Sequence, residues 1–171
     1  KSTLGSVLNN IALIHAARGE TEQELECYRQ AEVIARASDD RKNLATYLAN
    51  IALCLKNQGK NQEALDCLHE SIAIAEAIGH KVGLAGRLNS AGLIYKAMNQ
   101  SEHALENFNR ALALASELGD RTTVAATSNS IGLLHYTQRQ YRQALAPYTT
   151  ALQLFRELGD IPSAAVTAWN L

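Results

Sequence analysis

The side chains in this sequence best suited to metal binding, proton transfer or nucleophilic attack are its five histidines and three cysteines, and neither set is arranged for such chemistry. His15 and His135 have no second ligand at i+3 or i+4, the spacing that would put two ligands on one helix face. They read as half-buried packing residues, and His69, His80 and His103 stand singly. Cys27, Cys54 and Cys67 are odd in number and lack metal-ligand spacing, so they suit neither an extracellular disulfide framework nor a zinc site. A reducing, cytoplasmic interior is the expected compartment. Glu22, Glu24 and Glu26 crowd the start of a helical segment, where the helix dipole favours negative charge without any catalytic role. No Gly-x-Ser-x-Gly elbow, Walker loop, dinucleotide fingerprint or His-Glu-x-x-His motif occurs. The expectation is a protein that is not an enzyme and needs no metal or cofactor.

The elements that position these residues follow from an internal repeat. Shifted by 40 residues, the sequence aligns on itself without a gap. Leu8-Asn9-Asn10-Ile11-Ala12-Leu13 becomes Leu48-Ala49-Asn50-Ile51-Ala52-Leu53, then Leu88-Asn89-Ser90-Ala91-Gly92-Leu93, then Ser128-Asn129-Ser130-Ile131-Gly132-Leu133. A second block follows in each unit, with Tyr28, Leu68, Phe108 and Tyr148 in one large column and Ala31, Ser71, Ala111 and Ala151 in a small one. The units are 1–40, 41–80, 81–120 and 121–160, and residues 161–171 match the start of a fifth as a partial repeat or capping helix. The whole of 1–171 is expected to be one repeat domain, cut from a longer protein because it does not begin with Met.

Each unit carries two helical patterns. Leu88, Ala91, Gly92 and Tyr95 recur at i, i+3, i+4 and i+7, and Leu105, Phe108, Ala111 and Leu112 form the matching face of the second helix. Gly19, Gly59, Asn99 and Arg139 mark the turn between the two. Thr21-Glu22-Gln23-Glu24 fits a capping box for the second helix, with Asn61 and Ser101 in the column of Thr21. Gly79, Gly119 and Gly159 end the second helices, after which Asp120 and Asp160 can cap the next first helix. Ala12, Ala52, Gly92 and Gly132 form a column of small residues that lets two helix axes approach. A lone helix pair cannot bury its apolar face; stacked pairs can.

Charge excludes two classes of partner. Sixteen basic residues against 17 acidic leave no excess to neutralise a phosphate backbone, so nucleic acid is not expected. No apolar stretch of about 18 residues suggests a membrane span, and no polybasic run suggests a membrane surface.

In unit three, Ala91-Gly92-Leu93-Ile94-Tyr95 is followed by Ala104-Leu105, Phe108 and Ala111-Leu112. Four such units in register, over the whole chain, resemble the tetratricopeptide repeat. The 40-residue period departs from the commoner one of about 34 residues, and with the Leu-Gly-Asp boundary is similar to the long-helix branch of that family. That branch includes kinesin light chains, spindle-orientation adaptors, bacterial pheromone-regulated receptors and sensor arms of large bacterial transcription regulators. The resemblance implies an all-α fold, a right-handed α-α superhelix of helix-turn-helix repeats whose first helices line the concave face.

That face, on the same implication, holds the partner. The helical period carries the stripe through Asn9, Asn50, Leu53, Lys56, Asn57, Asn89, Leu93, Lys96, Asn129, Leu133 and Tyr136. Its asparagines can pair with the backbone of an extended peptide, or they can bond between neighbouring helices. The leucine column Leu13, Leu53, Leu93 and Leu133 is an apolar strip for an amphipathic helix if exposed, and core if covered. The family's clamp for acidic chaperone tails is absent, because Leu13, Gly86 and Ser90 sit where it needs Asn, Lys and Arg. The expected function is a protein- or peptide-binding scaffold. The alternative is a sensory and oligomerisation arm of a bacterial signalling or transcription-regulatory protein. Self-association through the terminal helices is also expected.

Overall fold

Three aspartates open helices in the same way. Asp40, Asp120 and Asp160 each accept a hydrogen bond on a carboxylate oxygen from the backbone N–H three residues on, at Asn43 (3.2 Å), Thr123 (3.1 Å) and Ser163 (3.1 Å). Each bond satisfies one of the donors that a helix leaves orphaned at its first turn. The computed structural model describes residues 2–81 and 83–170; the repeat limits expected at 1 and 171 lie outside them. Among the described residues the regular structure is entirely helical, and the chain divides into two compact units, 1–81 and 82–171.

The first unit contains α1 (Ser2–Arg18), α2 (Thr21–Ala37), α3 (Arg41–Asn57) and α4 (Asn61–Ala77). Its core joins Ala31 and Ala35 of α2 to Leu44, Tyr47 and Leu48 of α3, with Leu8, Cys67 and Ile74 packed against them. The buried Ser71 hydroxyl of α4 donates to the Ala45 carbonyl of α3 at 2.5 Å. Arg36 of α2 forks onto Glu70 of α4 at 2.7 and 2.8 Å, a bidentate geometry that holds Glu70 below the usual carboxylate range.

The second unit contains α5 (Leu84–Ala97), α6 (Ser101–Leu118), α7 (Arg121–Thr137), α8 (Tyr141–Glu157) and α9 (Ile161–Trp169). Phe108 and Ala104 of α6 pack with Ile131 and Leu134 of α7. Ala125 of α7, Ala151 and Phe155 of α8 and Ala164 of α9 form a second cluster, so the partial fifth repeat covers the fourth.

Within each unit, consecutive helices are joined through one left-handed residue, at Gly19, Asp39, Gly59, Asn99, Gly119, Arg139 and Gly159, and α4 ends on the left-handed Gly79. The next residue's N–H then reaches back to a helix carbonyl, as from Glu20 to His15 (3.0 Å) and from Gln140 to His135 (2.9 Å). This geometry corrects the capping-box expectation. The N-cap of α2 is Glu20, with no side-chain cap bond, and Thr21 is already the first helical residue. Asn61 and Ser101 likewise lie inside their helices, behind Lys60 and Gln100. The turn leaves a single residue between the left-handed position and the helix, so the cap falls one place earlier than the sequence motif. The Glu20 carboxylate lies against His15 Nδ1 at 2.5 Å instead.

The period breaks locally at α5. Arg41 and Arg121 open α3 and α7, which places the corresponding start at Lys81, yet α5 opens at Leu84 after the left-handed Gly83. The cap column explains the difference. His80 stands where the other repeats have Asp40, Asp120 and Asp160, and no carboxylate is there to take the first-turn N–H groups.

Candidate binding surface on the first helices

In the first unit, α1 and α3 lie side by side and their asparagines meet. Asn50 Nδ2 donates to Asn9 Oδ1 at 3.1 Å, across two half-buried side chains. Leu13 is 53% exposed and Leu53 is 51% exposed, so this half of the leucine column faces solvent. Lys56 is half-buried and Asn57 exposed, toward the end of α3. The recurring asparagine of this unit therefore ties two first helices together.

In the second unit the first helices line an open cavity of about 530 Å³. Four residues of the expected stripe line it: Asn89 and Leu93 from α5, Asn129 and Leu133 from α7. Phe155 of α8 and Val166 of α9 add apolar wall, and Thr122, Ser163 and Asp160 add polar groups. Asn129 Oδ1 accepts from the Thr167 hydroxyl of α9 at 3.1 Å, which matches the Asn9–Asn50 bond in another pair of first helices. Asn89 differs. Its side-chain oxygen is buried and accepts no hydrogen bond, an unfavourable state for an amide acceptor. The serines next to Asn89 and Asn129 are satisfied within their own helices, Ser90 donating to the Gly86 carbonyl at 2.9 Å and Ser130 to that of Ala126 at 3.0 Å.

Lys96 and Tyr136 lie on the same helices but outside the cavity lining. Tyr136 is exposed and rests edge-on against Tyr141, with ring centroids 5.6 Å apart. The sequence reading missed Thr122 and Ala126, although they precede Asn129 on the same face by seven and three residues. Pro162, Ser163 and Val166 escape it as well, because a partial repeat shows nothing of what its helix faces. Continuing the helical period backwards from Asn129 would have found the first pair.

Among the described residues no three histidine, cysteine or acidic side chains converge to hold a metal, and no helix is long and apolar enough to cross a membrane. The thiols are free; Cys54 is buried and pushed up to about 12, first by burial and then by its hydrogen bond to Glu24.

The tetratricopeptide repeat family matches residues 3–77, 43–117 and 84–157. No curated protein matches the sequence. Among solved structures, aspartyl phosphate phosphatase F from Bacillus subtilis is similar with a TM-score of 0.91 and 16% identity, over 99% of this chain and 45% of that one. A Rap protein complexed with competence and sporulation factor gives 0.89 and 16% identity, over 97% and 46%. BtubC (BKLC) from P. vanneervenii gives 0.72 and 18% identity, over 97% and 77%. The chain thus spans under half the length of the first and second of these, and at such identities the likeness is one of fold.

Proposed function

The chain belongs to the tetratricopeptide repeat family, and we propose that it works as a scaffold that binds a protein or peptide segment on its first-helix face rather than as a catalyst. The observation that carries this reading is the groove of the second unit, where Asn89 and Asn129 stand beside Leu93, Leu133 and Phe155. The backbone of an extended peptide pairs with such amides, and an apolar side chain of the same peptide fits between the leucines. In the first unit, Leu13 and Leu53 offer a further apolar strip beside the Asn9–Asn50 pair. The free thiols support a cytoplasmic setting.

The test is a peptide selected from a random display library for binding to the whole chain. Changing Asn50, Asn89 and Asn129 together should weaken its affinity by tenfold or more, about 1.4 kcal/mol. Unchanged affinity would remove the first-helix face from consideration. Exposed apolar side chains on α1 (Leu4, Val7, Ile11 and Ile14) and on α9 (Ile161, Val166 and Trp169) support self-association as well. Sedimentation that stays monomeric as concentration rises would count against that part.

A second reading is a sensory arm in a larger bacterial signalling protein. It is favoured by the likeness to the Rap protein crystallised with competence and sporulation factor, of which this chain covers 46%. Fusing the chain to different output domains and measuring ligand-dependent output separates the two.

A further inference from the structure

The second helices of the first unit hold another groove, on residues that the first-helix reading does not use. It has a volume of about 450 Å³ and lies where α2, α3 and α4 meet. Ile51 and Leu55 of α3 form its floor, and Val33 of α2 is an exposed apolar wall. Its rim carries Glu32, Glu63 and Asp66 against a single guanidinium, Arg29. Arg36 stands next to Glu32 at 2.8 Å but is shared with Glu70, so with that pair included four carboxylates still face two guanidiniums.

The repeat supplies an internal comparison. The columns of Arg29, Glu32 and Val33 hold Asn109, Leu112 and Ala113 in the second unit, and those of Glu63, Asp66 and Cys67 hold Gln143, Ala146 and Pro147. The same helix pairing therefore forms without any of these charges. Packing of the repeat does not require the acidic rim, and its concentration in one unit needs another reason. The potential it creates is visible at Cys67 in the groove, whose thiol is raised first by burial and then by Glu32, Glu70 and Asp66, with Arg29 opposing.

We propose that this outer groove of the first unit is a second docking surface, for a segment that presents an apolar side chain flanked by lysine or arginine. The apolar side chain packs against the exposed Val33 at the mouth of the groove, above a floor of Ile51 and Leu55 that is already buried, and the cations reach Glu63 and Asp66. Charge complementarity selects against acidic segments, since like charges across an interface oppose binding.

The test uses two labelled probes, a short helical peptide of leucine and lysine and its counterpart of leucine and glutamate, with the whole chain carrying Cys27→Ser. Fluorescence anisotropy should show binding of the lysine peptide only, and that peptide should slow alkylation of Cys67. The double variant Glu63→Gln, Asp66→Ala takes the residues found at the same columns of the second unit and should keep its helicity. It should bind the lysine peptide about tenfold more weakly. Asn89→Ala, in the cavity of the other unit, should leave that affinity unchanged. Equal binding of both peptides, an unprotected Cys67, full affinity in the double variant, or loss on Asn89→Ala would each overturn the proposal.

Discussion

A Cβ built on Gly92 would lie 2.5 Å from Cε1 of Phe108, inside the ring's contact radius. Gly132 stands in the same relation to Tyr148, at 2.7 Å. Both aromatic rings are fully buried and cannot withdraw. Gly92→Ala should therefore destabilise the chain by roughly 1–3 kcal/mol through overpacking. Gly86 is also helical but would meet nothing within 4 Å, so Gly86→Ala should stabilise by roughly 0.5–1 kcal/mol through backbone entropy. Urea unfolding of the two variants should move in opposite directions; a shared sign would show that helix propensity, not the Phe108 ring, governs this column.

The late start of α5 makes a separate prediction. His80→Asp restores the cap that α3, α7 and α9 enjoy and should raise stability by about 0.5–2 kcal/mol. Amide exchange should slow in the first turn of α5. Unaltered exchange there would mean that Gly83, and not the missing carboxylate, sets the helix start.

Asn89 should separate stability from binding. Replacing it by leucine removes a buried acceptor that has no partner and keeps the volume similar, so thermal stability should hold or rise. Affinity for a selected peptide should fall. Asn50→Ala behaves differently, since it leaves Asn9 Oδ1 without its 3.1 Å donor and should cost about 0.5–1.5 kcal/mol. A loss of stability in Asn89→Leu equal to that of Asn50→Ala would argue for a purely structural amide.

Acid should weaken the chain at identifiable carboxylates. Thr123 holds Asp120 below its ordinary value through its hydroxyl and its backbone N–H, and Arg36 does the same for Glu70. A depressed folded-state value means stability that is present above the unfolded value, about 4, and lost as pH falls through the lower folded one. Removing both carboxylates, in Asp120→Asn with Glu70→Gln, should flatten the decline between about pH 5 and pH 2. An unchanged slope would shift the acid sensitivity to other groups.

The sequence by itself determined which residues share a face. The 40-residue period, the small column at Gly92 and Gly132 and the aromatic column at Phe108 and Tyr148 are consequences of helical geometry and side-chain volume. The aspartate caps were legible for the same reason, since a cap acts on the next three residues. Tertiary structure decided what each face meets. Leu13 and Leu53 are half exposed, whereas Leu93 and Leu133 line a cavity closed in part by α9, although all four occupy one column. The asparagine column divides likewise into Asn9 and Asn129, each bonded to a neighbouring helix, and Asn89, whose oxygen is left without a donor. Periodicity is a property of one helix, but burial and hydrogen-bond satisfaction depend on the helix beside it, whose approach is set by long-range packing that no single repeat encodes.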